Sequence, residues 1–183
     1  MNSVISKVVP GGPCSGRRIY PGDRLIRING HVICDVLDYK FYSYDAEVIM
    51  QLQSAVGKVR LVRVCKDEGE DLGLEFENYL MDKARGCANR CIFCFVDQLP
   101  KGMRDTLYSK DDDARLSFLQ GNYITLTNLS ERELERIMRL HISPINVSVH
   151  ATDPDVRRMM LGNKNGGRGY GIMKRFAAAG IVM

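Results

Sequence analysis

The chain has 183 residues, 45% of them hydrophobic and 26% charged, with a formal net charge of +4. That length holds one full domain and part of another, and the composition excludes a disordered chain. The opening Met1-Asn2-Ser3-Val4-Ile5-Ser6-Lys7 lacks the apolar run of a secretory signal, and no later run is long enough to span a bilayer. A cytoplasmic protein is therefore expected, with its six cysteines as reduced thiols rather than disulfides. Charge is uneven: residues 1–77 carry a net −1 and residues 78–183 a net +5. An excess that small is ordinary for a solvated surface and does not indicate a nucleic-acid partner.

Residues 1–77 read as a small β-rich module. Val4-Ile5 and Val8-Val9 form a first strand ended by Pro10-Gly11-Gly12-Pro13. Pro21-Gly22-Asp23 is a turn, followed by a strand over Leu25 to Ile28 and then Asn29-Gly30, a hairpin signal because both residues tolerate positive φ. Asp35 to Tyr44 is aromatic-rich and reads as a short helix or an irregular crossover. Glu47 to Gln53 and Lys58 to Cys65 are two further strands, the first placing Val48, Met50 and Leu52 on one face. The acidic run Lys66-Asp67-Glu68-Gly69-Glu70-Asp71 is a solvated loop. Cys14, Cys34 and Cys65 are scattered singly and read as small core or edge residues.

The string Pro21 to Gly30, Pro-Gly-Asp-x-Leu-x-x-Ile-Asn-Gly in outline, resembles the PDZ family, whose members bind chain ends or extended segments by strand addition. In the family's usual order a Gly-Leu-Gly-Phe-like carboxylate-gripping loop comes first. Here Leu72-Gly73-Leu74-Glu75-Phe76 lies at the far end, which implies a permuted PDZ-like module with Leu72, Gly73 and Leu74 as its peptide-binding residues. Glu75 stands where the family has glycine. The alternative is a module that packs and binds nothing, since fold analogy does not establish a ligand.

Residues 78–183 form the second predicted domain. A strand is expected to end near Arg85, and Leu99 to Asp113 is polar and irregular. A short helix over Ala114 to Leu119 and a strand over Tyr123 to Thr127 follow. Ser130 and Glu133 then form a capping box, flanked by Leu129 and Leu134, ahead of a helix carrying Leu134, Ile137, Met138 and His141 on one face. Ile145 to His150 is a strand, and Asp153-Pro154 opens a helix that runs through Leu161 and is ended by Gly162. Gly166-Gly167-Arg168-Gly169 is a break before a helix over Tyr170 to Ala179, and Gly180 to Met183 begins another strand. Alternating strands and helices predict an α/β architecture with a parallel sheet and right-handed crossovers. The open end of such a sheet predicts that the chain is a fragment of a longer protein.

Between the two predicted domains lies Gly86-Cys87-Ala88-Asn89-Arg90-Cys91-Ile92-Phe93-Cys94, with the pattern Cys-x3-Cys-x2-Cys. These offsets do not share a helix face, whereas a loop can wrap three thiolates around one metal centre. The spacing, the aromatic Phe93 and the β/α context resemble the radical S-adenosylmethionine (SAM) superfamily. A PDZ-like module joined to this loop is similar to an uncharacterised subfamily that also carries a C-terminal domain of unknown function, absent here. The resemblance implies an incomplete (β/α) barrel and a 4Fe–4S cluster on Cys87, Cys91 and Cys94, with one iron open to SAM. It implies an enzyme that cleaves SAM reductively to a 5′-deoxyadenosyl radical, which abstracts hydrogen from a substrate the sequence does not reveal. The cofactor carries the hard chemistry and the protein orients it. The resemblance also implies a flavodoxin- or ferredoxin-like donor for the electron. An unclosed barrel implies poor turnover by this chain alone.

Other residues carry over from the resemblance. The backbone at Phe93 is expected near the adenine. The family's Gly-Gly-Glu-like segment has its nearest equivalent in Gly121-Asn122, which precedes the strand and lacks the Glu. Either Asn122 takes the acceptor role or Thr127-Asn128 does. Ser148 and His150 share a face of the third strand and line the cavity, or are ordinary strand polarity. His141 reads as a structural histidine or a helix-dipole partner. Three readings compete. One is structural zinc with His141 or His150 as fourth ligand, which lacks a second Cys-x2-Cys pair. Another is a plain Fe–S carrier, against which three rather than four cysteines argue. The last is a PDZ-like adaptor, binding zinc or an Fe–S group without SAM chemistry.

Overall fold

A computed structural model describes residues 3–183. Two compact units divide between Lys83 and Ala84.

The first unit is built on antiparallel pairing. Its strands are β1 (Ile5–Val8), β2 (Arg24–Ile28), β3 (His31–Val32), β4 (Glu47–Gln53), β5 (Val59–Cys65) and β6 (Leu74–Phe76), with helix α1 (Val36–Tyr42) between β3 and β4. One sheet has the order β3-β2-β4-β5, and β1 pairs with β6. Asn29 and Gly30 both take positive φ, 47° and 82°, and turn β2 into β3 as the dipeptide predicts. Alternation along β4 buries Val48, Met50 and Leu52 completely. Asp35 caps α1, accepting from the backbone N–H groups of Leu37 and Asp38, so the aromatic stretch is helical rather than irregular. The acidic loop from Asp67 to Asp71 is exposed.

Helices and loops dominate the second unit. Its helices are α2 (Ala114–Gln120), α3 (Glu131–Arg139), α4 (Pro154–Leu161) and α5 (Gly169–Ala178). The Ser130–Glu133 capping box is formed, with Leu129 and Leu134 both buried beside it. Asp153 caps α4 with Pro154 in its first turn, and Gly162 ends it at φ 55°. Gly166 to Arg168 lies in a 3-10 turn, Lys164–Arg168, that runs into α5. His141 departs from the expected helix face: it lies beyond α3, exposed, with φ 51°.

The predicted strands of this unit are reduced to short contacts. Ile124 and Val147 form a parallel bridge, flanked by Ile124 N–H to Asn146 carbonyl and Ser148 N–H to Ile124 carbonyl, both 2.9 Å. Ile145 N–H donates to the carbonyl of Val182, which brings the last segment alongside. These contacts bring the predicted strand segments side by side, but the ladders do not extend. Leu126 and His150, both with φ 62°, turn the backbone out of the extended region just beyond the bridge. Ahead of the cysteine loop, Gly86 bridges antiparallel to Asp111 where a strand end is expected near Arg85.

Candidate functional site

The cysteine loop is held at both flanks by backbone. Cys87 N–H donates to the Lys110 carbonyl at 2.9 Å, and Asp112 N–H returns to the Arg85 carbonyl. Farther on, Arg90 N–H and Ile92 N–H donate to the carbonyls of Leu161 and Met160, so the loop satisfies acceptors at the end of α4. A Cβ at Gly162 would stand 2.6 Å from the Arg90 carbonyl oxygen. Glycine there permits both the left-handed turn and the approach of the loop.

Asn89 anchors the middle of the loop. Its side chain is buried, donates to Thr125 Oγ1 at 2.9 Å, and accepts from Thr127 Oγ1 at 2.9 Å and from Asn163 Nδ2 at 2.7 Å. Asp112, also buried, accepts from Thr125 N–H and Thr125 Oγ1, each at 2.6 Å, and from Thr127 Oγ1 at 3.3 Å. Asn128 Nδ2 donates to the Asp112 carbonyl. Thr127 and Asn128 thus join a buried polar network that holds the cysteine loop. Asn122 donates to Asp111, the bridge partner of Gly86, and Gly121 is the left-handed cap of α2.

Arg157 fastens the surrounding backbone. Its side chain is buried and donates to the carbonyls of Thr125, Ser148, Val149 and Gly166. A Cβ at Gly169 would lie 2.4 Å from Arg157 Nη1, so the glycine-rich turn is what lets this guanidinium in. Burial lowers the Arg157 pKa, partly offset by Asp112 and Cys91. Ser148 presents its carbonyl to this arginine. The His150 ring lies 5.1 Å from that of Phe93, tilted by 35°. Burial, then the Arg157 charge, lowers the His150 pKa.

All six cysteines are free thiols. Cys87, Cys91 and Cys94 are each half-buried. Burial raises the Cys87 thiol pKa, partly opposed by hydrogen bonds from Asn89. Burial also raises that of Cys91, and the neighbouring Cys87 and Cys94 raise it further. Among the described residues, no group of three or more His, Cys, Asp or Glu side chains is arranged to hold a single metal ion. Cys87, Cys91 and Cys94 are the residues of this loop that could hold an iron–sulfur group. In the first unit, Leu72 and Leu74 are buried and Gly73 sits at φ 73°. Cys14 is fully buried, and burial pushes its thiol up to about 12.

A family profile described as a Radical SAM-like domain matches residues 66–183. The chain belongs to the Radical SAM-like family. The match covers the whole cysteine loop and starts inside the first compact unit, taking in β6 as well. A comparison with curated proteins found no match. No helix among the described residues is long and apolar enough to cross a membrane.

Sequence reasoning singled out the three cysteines and Thr127 but missed Asn89, Asp112 and Arg157. Asn89 lay within the quoted motif without a role, and Asp112 fell in the stretch from Leu99 to Asp113 that reads as polar and irregular. Arg157 carried no signal beyond its place in α4, because its partners are backbone carbonyls, which no side-chain pattern marks.

Proposed function

We propose that this Radical SAM-like protein is an enzyme that holds a 4Fe–4S cluster on Cys87, Cys91 and Cys94 and binds SAM beside it. The supporting observation is a loop that carries three free, partly exposed thiols at Cys-x3-Cys-x2-Cys spacing inside the region the family profile matches. When bound, the cluster supplies the electron for reductive cleavage of SAM to methionine and a 5′-deoxyadenosyl radical that takes hydrogen from a substrate.

The chain's own residues position and shield that chemistry. Asn89 ties the loop to Thr125, Thr127 and Asn163, fixing the thiols against the bridged segment. Arg157 holds the carbonyls of Thr125 and Ser148 together, which keeps the floor of the site from fraying. Asn128 and Ser148 are the proposed polar contacts for SAM, with Gly121 and Asn122 as the second group, whereas Thr127, buried with its hydroxyl bonded to Asn89 and Asp112, supports the loop instead. Phe93 against His150 forms an apolar wall beside the last cysteine, suited to an adenine face. A flavodoxin- or ferredoxin-like donor and a cytoplasmic setting, where thiols stay reduced, complete the proposal.

A permuted PDZ-like role is proposed for residues 1–77, with the peptide edge at Leu72, Gly73 and Leu74. Against a free carboxylate ligand there stands the Gly73 N–H, which already donates to Asp71 Oδ1 at 2.7 Å. The carbonyls of Leu72 and Gly73 are also taken, by the N–H groups of Cys14 and Val9. A packing role without a peptide therefore agrees better with this edge.

Cluster-loaded protein, reduced anaerobically with dithionite in the presence of SAM, is expected to release 5′-deoxyadenosine, read by chromatography. A loaded protein that releases none is an electron carrier instead. Stoichiometric zinc with no visible absorbance after anaerobic reconstitution would favour the metal-binding adaptor.

A further inference from the structure

Lys110 meets the cysteine loop twice. Its carbonyl accepts from Cys87 N–H, at the first cysteine. Its ammonium donates to both carboxylate oxygens of Asp97, at 2.8 and 3.0 Å, three residues beyond the last cysteine. The segment carrying Asp97 is itself tied back to the loop, since Gln98 N–H donates to the Cys94 carbonyl. One residue therefore joins the entry and the exit of the nine-residue motif from Gly86 to Cys94.

We propose that Lys110 and Asp97 form a clasp across the mouth of the cysteine loop, positioning it around its iron–sulfur group and setting the charge beside that group. This rests on the proposed cluster. A loop that must present three thiolates at fixed separations loses conformational freedom on loading, and a clasp already closed reduces that loss. The pair also matters through its sign. A cation beside a group that gains an electron favours the reduced state, and an anion there disfavours it. Lys110 and Asp97 act in opposite directions on the same site, so removing either one alone exposes the other. Both charges stand on segments bonded to the loop, Lys110 through its carbonyl to Cys87 and Asp97 three residues after Cys94.

The test compares wild-type protein with K110M, D97N and the exchange K110D/D97K, all reconstituted anaerobically with iron and sulfide. The readouts are iron per chain, the rate of iron loss to a chelator, and the midpoint potential followed by electron paramagnetic resonance. K110M and D97N are expected to lose iron roughly three- to fivefold faster than wild type, the scale of one exposed ion pair, with the exchange recovering most of that loss. The potential is expected to fall in K110M and rise in D97N. A purely structural pair would move both potentials the same way or not at all, and either result would overturn the electrostatic part of the proposal. Wild-type iron uptake with unchanged release in both single variants would overturn the clasp alone. No iron in any form, wild type included, would overturn the cluster and the clasp together.

Discussion

In the first unit, β4 lies between β2 and β5, and seven registered pairs join β4 to β5, from Glu47 with Cys65 to Gln53 with Val59. Its core is apolar and periodic, with Ile5, Leu25, Ile28, Met50 and Leu52 essentially inaccessible. The second unit has one parallel bridge between its β-like segments, and buried side chains do the work that ladders do in the first. Asn89, Asp112, Asp113, Arg115, Thr127 and Arg157 are all buried there. The difference follows from what each unit must present. A continuous ladder fixes a surface by backbone repetition, whereas a loop with three thiols must be fastened at individual points. Buried polar networks of this kind rigidify a site when every member is satisfied and are costly when one is removed.

The comparison predicts its largest effect at Arg157. Arg157→Leu keeps much of the side-chain bulk but strips partners from four carbonyls, and is expected to destabilise the second unit by about 5 kcal/mol. Hydrogen exchange at the Ile124 and Ser148 amides reads this directly, with protection lost there and retained along β4. Equal loss of protection in β4 would show that the two units do not differ in this way.

Asp113 sharpens the contrast through pH. Its carboxylate caps α2, accepts the Arg85 N–H and pairs with the buried Arg115 guanidinium at 2.9 and 2.7 Å. Burial alone would raise its pKa, but these hydrogen bonds and the Arg115 charge outweigh it and hold the carboxyl below the ordinary value of 3.8. Its contribution is thus fully present above the ordinary carboxylate range and is lost as pH falls through its folded value. Asp113→Asn is expected to cost about 3 kcal/mol at neutral pH, because a neutral amide cannot replace the two charge-assisted bonds that the carboxylate accepts from the buried Arg115 guanidinium. The variant should lack this part of the acid-side decline below pH 3.8. A denaturant titration at several pH values checks both, and an unchanged acid slope would remove Asp113 from the account.

Leu52→Ala in β4 provides the matching test in the first unit. Loss of a fully buried leucine is expected to cost about 3 kcal/mol, with no change in the pH profile. A pH-dependent loss there would break the assignment of an apolar core to that unit.

Local signals were legible in the sequence. Asn29-Gly30, the capping box at Ser130, Asp153-Pro154 and Gly162 each specify a backbone conformation within a few residues, and each is realised. The alternation in β4 is local in the same sense. The extended strands of the second unit were misjudged because β-branched composition says nothing of a positive φ at Leu126 or His150, which no glycine marks. The Cys-x3-Cys-x2-Cys spacing is visible in one dimension, but its supports are not. Asn89 finds Asn163 across 74 positions, and Arg157 finds Thr125 across 32. Such pairings are chosen by the folded backbone, not by the neighbouring residues.

The central claim is that the three thiols of the loop together hold an iron–sulfur cluster. The most direct measurement is iron and sulfide per chain after anaerobic reconstitution, in wild type and in the single variants Cys87→Ala, Cys91→Ala and Cys94→Ala. The account predicts about four irons and four sulfides in wild type, with brown absorbance, and a large loss in each of the three variants. Wild-type protein that takes up no iron, or variants that keep a full complement, would contradict it.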